Sequence, residues 1–294
     1  MKLKNLTIIA CIVSSLFFIE IFPTRLQRHE PNQIKKGHLA LPSSQQTGPL
    51  FAFGQNIIDK GDLQGFISAN STIGNSKNFT TVSPSLLYGI TNQLSLLFEL
   101  PIAARFKLCN NKSSGLGDMF LQLEYAVYDA DTITYSNQIT LVTAITLPTG
   151  KAFASPPTGV GSPSFFIGAT ASHMGTDWYV FTSQGGIITT ERNNAKFGNS
   201  FLYQFGISKT IGDKSGWIFA AMLEWFGTYS QRAKIKERID RNSGGNIFSV
   251  GPSLWASSER FVAQAGIAFV STQNLFGRQP ANRLIPAINI GWKF

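Results

Sequence analysis

Seven polar side chains stand alone within apolar runs: Glu99, Gln122, Glu124, Gln204, Glu224, Asn289 and Lys293. Carboxylates and amides so placed can line a path for solute, bond one another in a filled interior, or serve acid–base chemistry. Catalysis also needs a nucleophile and a positioned base. His173, the only histidine in this part of the chain, has no obvious carboxylate partner and reads as a surface or interfacial residue. Gly115-Leu116-Gly117 opens like a dinucleotide fingerprint, but Phe120 stands where its third glycine belongs and no helix follows. Thr149-Gly150-Lys151 lacks the earlier glycine and the following Ser/Thr of a phosphate loop. His29, His38 and His173 are scattered, and Cys11 and Cys109 have no metal-ligand spacing. No catalytic residue, metal or cofactor is expected.

The elements that carry the seven polar residues alternate with period two, the signature of strands. In QLSLLFELPI, Leu94, Leu96, Phe98, Leu100 and Ile102 share one face, with Glu99 on the other. In MFLQLEYAV, Met119, Leu121, Leu123, Tyr125 and Val127 oppose Phe120, Gln122, Glu124 and Ala126. SFLYQFGIS and WIFAAMLEW repeat the pattern around Gln204 and Glu224. About twelve such runs follow residue 61, most of about ten to thirteen residues, the length a tilted strand needs to cross a membrane.

The links sort by parity. Odd-numbered links, at 73–78, 104–115, 149–161, 189–198, 230–245 and 272–283, are mostly long and polar or rich in glycine and proline. Even-numbered links, such as Thr91-Asn92, Gly175-Thr176 and Ser257-Ser258-Glu259, are short. An up-and-down barrel sends all odd links to one side of a membrane and all even turns to the other. Of the 294 residues only 14% are charged and 12% are aromatic, which suits a surface that does not wholly face water. Trp178, Trp217, Trp225, Tyr229, Trp255 and Trp292 are placed to form aromatic belts. The expected fold is all-β: a single transmembrane antiparallel barrel over 61–294.

Before the barrel, Lys2 and Lys4 precede an apolar run from Leu6 to about Ile19, the plan of a signal peptide over residues 1–23, with an uncut anchor as the alternative. Residues 24–60 read as an irregular periplasmic lead-in that plugs the barrel or hangs from its mouth. The net charge of +9 is spread over N-terminal and loop positions rather than along one stripe, so no nucleic-acid partner is expected.

The stretch LPIAARFKLCNNKSSGLGDMFLQLEYAVY, with LPTGKAF and GVGSPSFFIGATASH after it, resembles a family of bacterial outer-membrane proteins associated with the meta-pathway of phenol degradation and labelled as transporters. The resemblance rests on Gly115–Asp118, on Leu147–Gly150 and on the Gly48-Pro49-Leu50 lead-in, and it spans most of 48–294. It implies an outer-membrane location in a Gram-negative bacterium and a channel or transporter role.

Two readings of the lumen stay open. The face shared with the polar residues also carries Leu97, Phe120, Val142, Phe166, Leu202, Met222 and Leu254, suiting small hydrophobic or aromatic solutes; the alternative is self-packing of a narrow barrel. The second reading goes with a structural or surface-interaction protein that has no open pore. Arg232, Lys234, Lys236, Arg238 and Arg241 crowd one long link and either contact lipopolysaccharide phosphates or form a solvated loop. The last run, INIGWKF, presents Ile288, Ile290, Trp292 and Phe294 on one face. It reads as the closing strand, with Ile290, Trp292 and Phe294 as the signal for the barrel-assembly machinery.

Overall fold

The computed structural model of the protein describes residues 37–192 and 194–294. The expected signal peptide and the start of the lead-in lie outside them. Twelve antiparallel strands build one closed wall. They are β1 (Leu63–Gly74), β2 (Lys77–Thr91), β3 in two pieces (Leu94–Glu99 and Ile102–Leu108), and β4 in two pieces (Asn111–Leu116 and Met119–Asp131). β5 (Tyr135–Leu147), β6 (Ser164–Gly175), β7 (Trp178–Thr189) and β8 (Ser200–Lys214) follow. The wall ends with β9 (Trp217–Ser230), β10 (Gly245–Ser257), β11 (Phe261–Leu275) and β12 (Asn282–Lys293). The first strand closes on the last, with Gly65 opposite Trp292 and Ile67 opposite Ile290. Closure pairs backbone groups that hydrocarbon cannot solvate, which is why strands cross a membrane only in this form.

The alternation decides which face meets lipid. In β4 Leu121, Leu123, Tyr125 and Val127 are exposed, while Gln122, Glu124 and Ala126 between them are buried. The outer band holds exposed Leu141, Phe165, Ile167, Phe201, Phe205, Phe219 and Ile288, the apolar surface such a barrel needs.

The structure corrects the sequence reading at three places. The link expected at 104–115 is a hairpin: the outer pieces of β3 and β4 pair from Ile102 opposite Leu116 to Leu108 opposite Asn111, turning through Cys109 and Asn110. The link expected at 73–78 is only Asn75 and Ser76. Around the turns, at 109–114 and 75–78, the residues are polar on both faces, so backbone pairing continues where hydrophobic alternation gives no signal. The long odd links are therefore the four at 148–163, 190–199, 231–244 and 276–281. In β10 the expected faces are exchanged. Leu254 points out, 62% exposed, whereas Trp255 is 3% exposed inside the barrel, packed with Leu41, Ile218, Ala220 and Val262. Trp255 therefore belongs to the core and not to an aromatic belt.

Leu41 belongs to the lead-in, and its burial shows where that segment lies. Residues 37–60, with two 3-10 turns at Gly37–Ala40 and Ser43–Gln45, run inside the barrel. Leu39 joins Met174, Tyr179, Phe181 and Met222 in a second buried cluster.

Candidate channel lumen and its plug

Glu224 sits at the middle of β9 on the inner face, opposite Gly206 of β8 and Gly251 of β10. Gly251 leaves room for what the carboxylate holds, since a Cβ there would come within 2.6 Å of the Phe51 ring, and Gly206 leaves room for the Phe181 ring. Three consecutive lead-in amides donate to Glu224, Leu50 N–H to Oε1 at 2.9 Å and Phe51 and Ala52 N–H to Oε2 at 3.0 Å each. Successive amides converging on one anion are a backbone nest, here closed by the protein's own carboxylate. The next amide, Phe53 N–H, donates to Gln204 Oε1 at 3.0 Å, and Ser183 Oγ donates to Phe53 O at 3.1 Å.

The lead-in then swings across the lumen. Gly54 makes the bend at φ +84°, where a side chain would strike Thr170 of β6. Beyond it Asn56 donates from its backbone and its side chain to the two oxygens of Glu124, at 3.0 and 2.5 Å, and Gln122 Nε2 donates to the same carboxylate at 2.6 Å. Ile58 N–H reaches Ser95 Oγ at 3.0 Å and Lys60 N–H reaches Asn92 Oδ1 at 2.9 Å, returning the chain to the end of the barrel that carries the short turns. Buried carboxylates need such donors, because a charge without partners in a low-dielectric interior is costly.

At that turn end the lead-in is anchored a second way. The fully buried His38 ring lies between two hydroxyls, with Thr47 Oγ1 2.7 Å from Nδ1 and Thr210 Oγ1 2.7 Å from Nε2. Burial pushes its pKa down to about 4, with Asp177 pulling weakly the other way, so the ring is neutral at pH 7. Nearby, Ser257 Oγ donates to Gln45 Oε1 at 3.2 Å, and Gln264 Nε2 donates to Gly48 O at 2.7 Å.

Of the seven residues singled out in the sequence, Gln122, Glu124, Gln204 and Glu224 form one mid-barrel set around the lead-in. Asn289 joins it through Gln264, donating from Nδ2 at 3.1 Å. Lys293 faces inward but pairs with Asp62 at the turn end, and Glu99 stands apart on Ser83. Alternation could have shown Gln264, the polar residue of the inner face of FVAQAG. Ser95 and Ser183 carry no such signal, since serine is common on either face. His173 shares the outer face of Phe165 and Ile167 near the turn end, its Nδ1 2.6 Å from Asn137 Oδ1 and its ring stacked on Tyr135.

The apolar part of the lining is aromatic. Phe51 stacks on Phe226 with centroids 5.3 Å apart, and Phe53 meets Phe166 edge-on at 4.7 Å. Val142 and Met222 are buried on the same inner face.

At the loop end, the glycine-rich motifs come together as a rim clamp. Asp118 Oδ1 accepts Gly150 N–H at 2.9 Å and Oδ2 accepts Val160 N–H at 2.5 Å. Thr149 Oγ1 donates to Gly117 O and Thr158 Oγ1 to Leu116 O, both at 2.8 Å. This ties the 148–163 loop to the break in β4. The five cations of the 231–244 loop are all exposed, with Arg232 4.8 Å above the Phe276 ring. At the C-terminal end, Ile290 and Phe294 are exposed on the outer face, Trp292 and Phe294 meet edge-on at 5.8 Å, and Phe294 N–H bonds to Leu63 O.

The profile of a protein family described as "Putative MetA-pathway of phenol degradation" matches residues 48–279. Among solved structures, the chain is similar to the COG4313 outer membrane channel from Pseudomonas putida F1. That likeness has 16% identity and a TM-score of 0.61, and covers 85% of this chain and 99% of that one. The NanC porin gives 12% identity and a TM-score of 0.48, with 78% of this chain and all of the porin covered. At these identities the likeness concerns the fold. No functionally curated protein matches the sequence.

Proposed function

The chain belongs to the phenol-degradation MetA-pathway family of outer-membrane β-barrels, and from that premise we propose that it is a channel or transporter for small hydrophobic or aromatic solutes. The observation that carries this reading is the way the lumen is occupied. The lead-in crosses it on hydrogen bonds from its backbone amides to Glu224, Gln204 and Glu124, while its phenylalanines pack on Phe166 and Phe226. A segment held through its main chain in a polar cradle can leave without breaking the wall, and what it vacates is flanked by aromatic rings. Such a space takes a flat apolar solute better than a hydrated ion. The structure named as a channel in Pseudomonas putida F1 has the same fold, which supports the assignment by analogy.

The second reading is a structural or surface protein without an open pore, and the filled lumen is the observation in its favour. Conductance in planar bilayers, with and without aromatic solutes, separates the two. The channel reading expects small conductance that aromatic solutes alter, together with reduced solute uptake in a deletion strain. No conductance and no solute effect would leave the structural reading.

A further inference from the structure

The loop end and the turn end differ in charge. Four of the short-turn regions carry an acid: Asp131, Asp177, Asp213 and Glu259. The loop end carries Arg105, Lys107, Lys112, Lys151, Arg278 and Arg283, and its one rim carboxylate in these stretches, Asp118, is already taken by backbone amides. The excess is greatest where two long links meet. Beyond the wall the 190–199 and 231–244 loops pair again as a small separate sheet that keeps the offset of the β8–β9 pair: Ser200 lies opposite Ser230, Lys196 opposite Lys234 and Ala195 opposite Ile235. A third short strand, Arg238–Ile239, folds back on the ribbon through a tight turn in which Lys236 and Glu237 both have positive φ.

On this ribbon Arg192, Lys196 and the five cations from Arg232 to Arg241 face only Glu191, Glu237 and Asp240. Among the described residues none of these cations has a carboxylate within ion-pair distance. Interleaved with them are Phe197, Ile235 and Ile239, at 44%, 52% and 58% exposure. By alternation, Ile235 and its partner Arg238 continue the outer face of Phe201 and Tyr229 past the apolar band. A soluble loop has no reason to put isoleucines in water beside unpaired arginines. A ribbon standing against lipid whose headgroups are anionic has a use for both residue types.

We propose that this ribbon is a binding surface for lipopolysaccharide, its cations holding the phosphate groups and Ile235 lying against the sugar–acyl boundary. The loop end then faces the outer leaflet. Arginine suits the role because its planar fork engages two phosphate oxygens at once.

The test compares the purified, detergent-solubilised barrel with a variant in which Arg232, Lys234, Lys236, Arg238 and Arg241 are all glutamine. A Lys214→Gln/Arg260→Gln variant at the turn end serves as control. Each is passed over immobilised lipopolysaccharide and over its dephosphorylated form, and heat-modifiable migration reports folding. The expected result is a loss of about tenfold or more in affinity for the five-site variant. The control should bind like the native protein, and dephosphorylated lipid should bind the native protein as weakly as the intact lipid binds the variant. A folded five-site variant that binds normally, or equal binding of the dephosphorylated lipid, would overturn the proposal. If the five-site variant does not fold, Lys236→Gln/Arg238→Gln at the exposed turn, read on both lipids, decides in the same way.

Discussion

Two carboxylates do the same thing in different surroundings. Glu224 in the lumen and Asp118 at the rim both collect backbone amides from a distant segment, three from the lead-in in one case and two from the 148–163 loop in the other. Glu224 is fully buried and Asp118 is only partly buried. A hydrogen bond to a charged acceptor contributes about 1.5–3 kcal/mol when water is absent and less when water competes. The difference therefore assigns the two clamps different work. The rim clamp fixes a loop on the wall, and the luminal clamp decides whether the lumen is filled.

The sharpest way to break the comparison is Glu224→Ala, which leaves three buried amides without an acceptor. Docking of the lead-in should weaken by roughly 4 kcal/mol. Hydrogen exchange at Leu50, Phe51 and Ala52 should then accelerate by about a thousandfold while the wall strands keep their protection, and unchanged exchange would show that other contacts hold the segment.

A smaller effect is expected at the histidine anchor. The folded-state pKa of His38 lies below the ordinary 6.5, so its contribution is complete above pH 6.5 and is lost as the pH falls through about 4. The shift corresponds to about 3 kcal/mol at most, acting on the 37–47 part of the lead-in. Nuclear magnetic resonance of the ring in detergent should show an apparent pKa near 4, and an ordinary value would remove this anchor from the account.

The smallest expected effect belongs to the rim. Asp118→Asn keeps an acceptor for one loop amide and loses the other, a change of about 1 kcal/mol. Trypsin should cut after Lys151 several times faster, with no change in the exchange of the Leu50–Ala52 amides. If those amides did respond, the two clamps would be coupled.

The wall was legible in the sequence and its occupant was not, for a physical reason. Apolar alternation marks a strand wherever one face meets lipid, so Leu121, Leu123 and Tyr125 announce β4 directly. It fails for the tip of the outer hairpin around Cys109, where residues 109–114 are polar on both faces, and at Trp255, whose inward turn answers to Leu41 and His38 of a segment far away in the chain. The inward placement of Glu124, Gln204 and Glu224 was readable. Their partners were not, because those partners are mainly main-chain amides, which every residue but proline possesses.

The lead-in precedes β1, and β1 closes on β12. Its anchoring partners come much later in the chain: Thr210 lies 172 residues beyond His38, Glu224 lies 173 beyond Phe51, and Gln264 lies 216 beyond Gly48. The first part of the barrel to be synthesised is thus among the last to find its place. Contacts so remote along the chain form only after the loops between them have closed. Docking of the lead-in therefore waits on the wall, which makes the order of assembly a property of the filled lumen as much as of the wall.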